Sequence, residues 1–199
     1  LRISGLPKIN FLRYFFWKIF SNKIYKVTCP TNSTYSYIVK KNLFRKEKLE
    51  ILSDPIIDMA EYRVKKREIF NNEKLKNKKY LIGIGRLTKQ KNFGLLINFF
   101  KKISDLYPNL NLVIIGEGEK ESELKQLSAK FKDNQKIHFT GYQNNVFKYL
   151  LNAECFILTS LWEDPGFVLV EAALANLPII SSKCPNGPEE IIGVNGYLF

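Results

Sequence analysis

The residues best suited to chemistry stand in two loops, each of which follows an apolar run of strand character. The first loop, "GRLTKQKN", places Arg86 and Lys91 five positions apart and runs into an apolar stretch with helical spacing. A guanidinium fork and an ammonium point charge together suit a diphosphate. The helix that begins near Asn92 would add free N–H groups and a positive dipole end. The alternative is a solvated basic turn in a basic protein, and the spacing alone leaves both open.

The second loop opens "SLWEDPGFVLVEAALANLP", residues 160–178, a largely apolar run with Glu171 in its middle and Glu163 ahead of it. An ionised carboxylate on an apolar helix is costly unless it has partners. One interpretation pairs Glu171 with the helix dipole or with an internal Lys. The other directs Glu171 into a ligand crevice, where it accepts hydrogen bonds from vicinal sugar hydroxyls, while Glu163 reaches a second sugar.

The turns beside these side chains predict backbone contacts. "EDPG" is a Pro-Gly turn, so the N–H groups of Gly166, Phe167 and Val168 are predicted to be free at the start of the helix. The glycine pairs of "GIG" and "GEG" raise a dinucleotide interpretation. Neither pair completes G-x-G-x-x-G, and tight strand-to-helix turns explain these glycines.

From about Tyr80 onward, continuous apolar runs alternate with helical patterns. Strand-like runs include "YLIGIGR", "NLVIIGEG" and "CFILTS", and helical ones include "NFGLLINFFKKISDLY" and "EKESELKQLSAKF". This alternation predicts a parallel sheet covered on both faces, which is a doubly wound α/β domain. Ligands bind such sheets at the carboxyl ends of the strands, where both charged loops are expected.

Residues 1–75 have a different pattern and are interpreted as part of another α/β unit with its linker, while residues 76–199 form the doubly wound domain. "KVTCPTNSTYSYIVKKNLF" predicts a strand leading into a helix, and "KLEILSDPIID" predicts a short strand ending at a Pro turn. "KINFLRYFFWKIFSNKIYKV" predicts a basic, aromatic amphipathic helix. The charged stretch "EYRVKKREIFNNEKLKNKK" is interpreted as the connection between the units.

The formal net charge of +12 is the unusual feature of a composition that is otherwise globular, with 45% hydrophobic residues. It indicates either a lysine-rich solvated surface or attraction to an anion such as a nucleotide phosphate or an acidic membrane. The basic residues are spread along the chain without a recognisable binding module, so no nucleic-acid partner is expected. Three dispersed Cys and a single His suit a reducing cytoplasm and offer no metal cluster.

The sequence resembles the family 4 (group 1) glycosyltransferases of the GT-B fold. Four elements carry the resemblance, in this order along the chain: Arg86 with Lys91, Glu163-x7-Glu171, "CPNGPEEII" and "NGYLF". E-x7-E is the best-known signature of that family. The resemblance covers residues 80–199, and the preceding part resembles the end of the family's acceptor-side domain. It implies a Rossmann-like domain that binds a nucleotide sugar and is incomplete at its C-terminus. It also implies that the chain is a piece of a longer enzyme and is inactive alone.

The resemblance implies catalytic roles for three residues. Arg86 and Lys91 would hold the donor diphosphate and stabilise the charge on the leaving group, and Glu163 would face the donor sugar. The implied substrate-binding residues are Gly85, Gly166, Phe167, Val168 and Glu171, of which Glu171 would bind the nucleotide ribose. Transfer would retain the anomeric configuration, with a nucleotide-diphosphate sugar as co-substrate, no other cofactor and no metal. The family's usual loop appears here as "EDPGF", which leaves the sugar contacts open.

The implied reaction moves a sugar to a glycan or lipid-linked acceptor in surface polysaccharide or lipopolysaccharide biosynthesis. The enzyme is expected in the cytoplasm or on the inner face of the membrane. "FLRYFFWKIF" with Lys23 and Lys26 resembles the basic, aromatic surface by which such enzymes approach membrane-linked acceptors. The alternative is a helix that packs inside the first unit. A non-catalytic module that binds a sugar nucleotide or a partner protein is the second functional hypothesis.

Overall fold

The computed structural model describes residues 1–193 and 196–199. Helices span Phe11–Phe20 (α1), Asn32–Lys41 (α2), Met59–Lys65 (α3), Phe93–Ile103 (α4), Glu121–Ala129 (α5), Phe147–Leu150 (α6), Phe167–Leu174 (α7) and Pro188–Ile192 (α8). Strands span Val27–Cys29 (β1), Leu49–Ile51 (β2), Lys79–Ile84 (β3), Leu110–Ile115 (β4), Ile137–Phe139 (β5), Cys155–Leu158 (β6), Ile179–Ser181 (β7) and Tyr197–Leu198 (β8). Asn195, with which the "NGYLF" element begins, lies outside the described residues.

Strands β3 to β8 form one parallel sheet in the spatial order β5-β4-β3-β6-β7-β8. β3, the first of these strands along the chain, therefore lies between β4 and β6. The chain reverses its direction of winding between β3 and β6, and this is the point at which doubly wound sheets bind ligands. The prediction of a doubly wound, Rossmann-like α/β domain is confirmed.

Successive side chains of the central strands enter two different cores, because side chains alternate across a strand. In β3, Tyr80, Ile82 and Ile84 pack with α3, α6, α7 and α8. Leu81 faces the opposite way and packs with α4 and α5. Both faces of the sheet are thus covered, which explains why these strands are continuous apolar runs in the sequence.

The first unit is small and contains two short parallel strands, β1 and β2, with α2 packed on them. The backbone at the start of the chain adds to its sheet, since Ile3 N donates to Thr28 O at 2.9 Å and Thr28 N donates to Leu1 O at 2.8 Å. Ile3, Val27 and Ile38 are among its buried residues. The predicted strand–helix–strand pattern is present here.

The connecting stretch contains a helix that the sequence analysis did not predict. Tyr62 of α3 packs in the core beneath α6 and α7, and its hydroxyl donates to Leu174 O at 2.9 Å. Leu75 is also buried in that core. The division at residues 75 and 76 stays a prediction, but this part of the connection packs on the second unit.

The basic, aromatic helix is shorter than the predicted stretch and covers Phe11–Phe20. None of its residues is buried, and Phe11 is 81% exposed. Trp17 packs against the core of the first unit and lies 5.8 Å from Phe44 between ring centroids. One side of the helix therefore contacts the unit, and both the membrane surface and the packed helix stay predictions. Within residues 1–193 and 196–199, no helix combines the length and apolar character needed to cross a bilayer.

The close approach of the loops after β3 and β4 requires glycine at position 116. Gly116 has φ +134°, and a Cβ there would overlap the carbonyl oxygen of Gly85. Gly116→Ala is expected to lower the free energy of unfolding by about 2–3 kcal/mol, which is typical of backbone strain combined with a steric clash. Urea denaturation followed by circular dichroism measures this change.

Gly94→Ala is the matched control, because a Cβ on this helical glycine would contact only Leu127 Cδ2, at 3.8 Å. Replacing this glycine, in the first turn of α4, by the stronger helix former alanine should leave stability unchanged or raise it by up to about 1 kcal/mol. If Gly116→Ala and Gly94→Ala unfolded at the same urea concentration, the close contact of Gly116 with the Gly85 carbonyl would not be what requires glycine there.

Candidate functional site

A cleft of about 950 Å³ lies between the two units, at the carboxyl ends of β3 and β6. Residues 4–8 of the first unit form one side. The loops after β3 and β6 and the beginning of α7 form the other side. The predicted site residues on its wall are Gly85, Arg86, Lys91, Glu163, Gly166, Phe167 and Val168.

Arg86 follows β3 directly and is exposed on this wall. The turn that carries it is tied to the neighbouring strand, since Gly85 N donates to Ile115 O at 2.9 Å. Gly85 has φ +154°, and a Cβ on it would lie 3.2 Å from Lys91 Cε. A glycine here therefore leaves room for the Lys91 side chain to pass behind the turn.

Lys91 and Glu163 form a buried ion pair across the two loops. Lys91 Nζ donates to Glu163 Oε1 at 2.7 Å and to Oε2 at 2.8 Å. The side chain of Lys91 is 13% exposed and that of Glu163 is 3% exposed. Ser160 Oγ donates to Glu163 Oε1 at 2.5 Å. A buried carboxylate with three donors is well compensated, so Glu163 is fixed before any ligand arrives.

Backbone contacts also join the two loops. Leu161 N donates to Gln90 O at 2.8 Å, and Gln90 Nε2 donates to Trp162 O at 2.9 Å. Thr159 Oγ1 lies 3.0 Å from Lys91 O and 3.1 Å from Asn92 O. The segment after β6 is therefore held against the segment after β3 on both sides of the ion pair.

The beginning of α7 turns its free backbone groups toward the cleft. Gly166 precedes the helix with φ +92°, and a Cβ on it would lie 3.1 Å from Glu163 Cγ. Among the described residues, no hydrogen bond uses the N–H groups of Gly166, Phe167 or Val168. These groups and the positive end of the helix dipole can receive an anion.

Glu171 lies one helical turn beyond the cleft wall and is half-buried. Burial raises the pKa of its carboxyl above the ordinary value, and the Lys65 ammonium offsets only part of this effect. No hydrogen bond of its carboxylate is present within residues 1–193 and 196–199. The structure does not bring Glu171 to the cleft wall beside Arg86 and Glu163, so its ribose contact stays a prediction.

Several groups that the structure places at the site were not predicted from the sequence. Asp164 and Asn186 line the cleft, as do residues 4–8 of the first unit. Burial raises the pKa of the Asp164 carboxyl, although Arg2 opposes the shift. The "DPG" turn was a signal for Asp164, whereas nothing in the sequence pairs residues 4–8 with a loop more than 150 positions away.

The sequence and the fold of this chain are similar to those of known proteins. The family model described as "Glycosyl transferases group 1" matches residues 64–199. The chain is 38% identical over 151 residues to an uncharacterized glycosyltransferase, MJ1059, from Methanocaldococcus jannaschii, covering 76% of this chain and 35% of that protein. It is 32% identical over 118 residues to the amylovoran biosynthesis glycosyltransferase AmsD from Erwinia amylovora, covering 59% of this chain and 33% of AmsD. The chain thus spans about a third of the length of these curated relatives.

Two solved structures show the same fold. The crystal structure of HepE from Anabaena in complex with UDP has a TM-score of 0.79 at 17% identity, covering 100% of this chain and 57% of HepE. The pneumococcal O-GlcNAc transferase GtfA, in complex with UDP and GlcNAc, has a TM-score of 0.75 at 19% identity, covering 100% of this chain and 40% of GtfA. These likenesses confirm the GT-B fold. On the match of its residues 64–199, the chain belongs to the group 1 glycosyltransferases.

Proposed function

We propose that the cleft binds a nucleotide-diphosphate sugar and that the whole protein transfers this sugar to a glycan or lipid-linked acceptor. The proposal rests on one observation: three groups lie together on the wall of the cleft, at the carboxyl ends of β3 and β6. These are the exposed Arg86 guanidinium, the Lys91–Glu163 ion pair and the free N–H groups that begin α7. The amylovoran relative and the family membership support a role in surface polysaccharide or lipopolysaccharide biosynthesis.

Lys91 can bind a phosphate without leaving Glu163. An ammonium group has three N–H donors, and the two oxygens of Glu163 occupy two of them. The third donor, together with the Arg86 fork and the amides of α7, would hold the diphosphate. Glu163 Oε1 accepts from both Lys91 and Ser160, whereas Oε2 accepts, among the described residues, from Lys91 only. Oε2 therefore keeps a lone pair for a hydroxyl of the donor sugar.

The same cations serve the chemical step. As the acceptor oxygen bonds to the anomeric carbon, the bond from that carbon to the phosphate oxygen breaks and the nucleoside diphosphate leaves with the electron pair. The acceptor hydroxyl loses its proton to the departing phosphate. Arg86, Lys91 and the α7 amides would stabilise the charge that develops on this phosphate, an effect that is strongest for preorganised groups. We infer retention of the anomeric configuration and no metal requirement, as the family resemblance implies.

Titration with UDP and GDP tests the diphosphate site. We expect the chain to bind UDP, the nucleotide present in the HepE and GtfA structures. Arg86→Ala should weaken binding by about tenfold to a hundredfold, because a hydrogen bond to a charged group contributes about 1.5–3 kcal/mol. The affinity should be unchanged by EDTA. Isothermal titration calorimetry at fixed ionic strength gives these values.

Lys89→Ala is the control for this measurement. It removes the same charge from the same loop, but Lys89 lies outside the wall of the cleft. The affinity of this variant for UDP should stay within about twofold of the wild type, since an exposed charge that makes no contact in the cleft is screened by salt. An equal loss in both variants, or no binding to either nucleotide, defeats the proposed site. Donor binding by the whole protein without transfer to any glycan or lipid-linked acceptor would instead favour a non-catalytic sugar-nucleotide-binding module.

The raised pKa of Glu171 gives a prediction for stability. A carboxyl whose folded-state pKa lies above its unfolded value stabilises the fold below the unfolded pKa, and that contribution is lost as pH rises through the folded pKa. Glu171→Gln should therefore raise the Tm at pH 7 by a few degrees at most, as about 1 kcal/mol shifts the Tm by about 2–4 °C in a chain of this size. Glu119 is exposed, so the control substitution Glu119→Gln should leave the Tm at pH 7 unchanged.

The same carboxyl gives a prediction for affinity. If ionised Glu171 accepts hydrogen bonds from the ribose, then binding of a UDP-sugar should weaken as pH falls through its raised pKa. The Glu171→Gln variant should bind more weakly at pH 7 and should lose this dependence on pH. Calorimetry from pH 7 down to pH 5 measures both effects. A Glu171→Gln variant with wild-type affinity at pH 7 would exclude the ribose contact.

We further propose that α1 lies on an anionic membrane surface and brings the enzyme to lipid-linked acceptors. Phe15 is 51% exposed and Phe16 is 54% exposed, and Arg13, Lys18 and Lys23 lie in or next to the helix. This combination suits the interface of an anionic leaflet. Phe15→Ser/Phe16→Ser should lower co-sedimentation with vesicles containing phosphatidylglycerol by about tenfold or more, because each phenyl ring contributes apolar area.

Two controls accompany the vesicle assay. Leu106→Ser removes another exposed apolar side chain, one that is 74% exposed and distant from α1 along the chain, and it should not change binding. Vesicles of phosphatidylcholine alone should bind weakly, since the basic residues act through anionic lipids. Equal binding to both kinds of vesicle, or an equal effect of Phe15→Ser/Phe16→Ser and Leu106→Ser, would contradict the proposal that α1 binds an anionic membrane.

A further inference from the structure

A buried polar cluster joins the first unit to the loop that carries Glu163. Thr31 and Thr34, at the start of α2, lie 2.5 Å and 3.1 Å from Asn186 Oδ1 through their Oγ1 atoms. Thr31, Thr34 and Asn186 are 4%, 0% and 3% exposed. Asn186 Nδ2 donates to the carbonyl oxygen of Glu163 at 3.1 Å. Asn186 thus lies between the threonine pair and the main chain of a predicted catalytic residue.

The carbonyl oxygen of Glu163 fixes the orientation of the Asn186 carboxamide, because a carbonyl oxygen accepts hydrogen bonds and cannot donate them. Each threonine hydroxyl has one hydrogen to donate. Thr34 Oγ1 donates to Gly5 O at 2.9 Å, and Thr31 Oγ1, which accepts from Thr34 N, donates to Asn186 Oδ1. The amide nitrogen of Asn186 must then face Glu163 O. Asn186 Oδ1 then faces the first unit, where Thr31 Oγ1 is placed to donate to it.

The backbone around Asn186 leaves little freedom to adjust. Asn186 has φ +70°, a conformation that Asn tolerates better than most residues. A Cβ on Gly187 would overlap Pro165 O, so this segment is pressed against the turn after Glu163. Glu163 N donates to Pro185 O at 3.0 Å. Residues 185 and 186 thus hold both the N–H and the carbonyl group of Glu163.

Glu190 of α8 fixes the start of α2 in relation to this segment. Its carboxylate accepts from the backbone N and side chain of Asn32 at 2.8 and 3.0 Å, and from those of Ser33 at 2.9 and 3.0 Å. Burial raises the pKa of Glu190, but these hydrogen bonds outweigh it and lower the pKa. The second unit therefore caps a helix of the first, next to the threonine pair.

We propose that Asn186 is a positioning residue, which Thr31 orients and which holds Glu163 in place for the donor sugar. This rests on the proposed function, because Glu163 is the group that would face that sugar. The ion pair with Lys91 fixes the carboxylate end of Glu163, and Asn186 fixes its main-chain end. A donor bound in the cleft is thereby coupled to the arrangement of the two units.

Hydrogen exchange of the ligand-free chain tests the coupling without any nucleotide. Thr31→Val removes the hydroxyl and keeps the shape, whereas Thr31→Ser keeps the hydroxyl. We expect Thr31→Val to speed exchange of the amides of Leu161 and Glu163 by about threefold to tenfold, corresponding to one lost buried hydrogen bond. Thr31→Ser should match the wild type. Faster exchange in residues 31–41 alone, with residues 160–166 unchanged, would show a merely local helix cap and overturn the proposal.

Ligand affinities supply a second readout that a general loss of stability would not reproduce. The probes are UDP and whichever of UDP-glucose, UDP-galactose and UDP-N-acetylglucosamine the wild type binds best. Thr31→Val should weaken binding of the UDP-sugar by about threefold to tenfold and leave UDP within about twofold, whereas Thr31→Ser should match the wild type for both probes. Equal losses for both probes would overturn the positioning role. Failure of the wild type to bind any of them rejects the proposed function, and the exchange experiment then decides the coupling alone.

Discussion

Two opposite charges, buried together at the ends of neighbouring strands, hold this site in shape. Lys91 follows β3 and Glu163 follows β6, and each would be an uncompensated buried charge without the other. Their contact requires β3 and β6 to be adjacent, as the pairing of Leu81 with Cys155 shows. The reversal of winding in the sheet is therefore the topological condition for the ion pair. The ion pair in turn holds the loop after β6, which carries the groups proposed to face the donor.

The strands and most of the helices of the second unit could be predicted because their physical signals are local. Strands buried on both faces are continuous apolar runs, and α4 shows its buried face through Phe93, Leu96, Ile97 and Phe100. The helix α3 gave no such signal. Tyr62 is its one buried residue among those described, and charged residues surround it in the sequence. The Asp58 N-cap, the packing of Tyr62 and the hydrogen bond from Asn145 Nδ2 to Lys65 O, rather than an apolar periodicity, hold α3 in place.

For the site, residue types and order identified the right loops but not the contacts within them. Arg86 and Lys91 were predicted as a pair for one anion, yet the direct partner of Lys91 in this structure is Glu163, 72 positions away. Asn186 was not singled out at all, because its contacts depend on a positive φ and on Thr31, 155 positions away. Long-range pairing of polar groups leaves no periodic trace in a single sequence.

The alternation of side chains along the central strands makes the sheet a partition between two largely independent layers. Phe156 and Leu158 of β6 belong to the core that contains α7, whereas Ile157 between them belongs to the core that contains α4. A change in volume at either kind of position is transmitted to one helical layer and not directly to the other. Val168 of the layer with α7 also lies on the wall of the cleft, so a substitution at Phe156 or Leu158 acts on the layer that borders the cleft. A one-residue step along β6 therefore decides which helical layer a substitution affects.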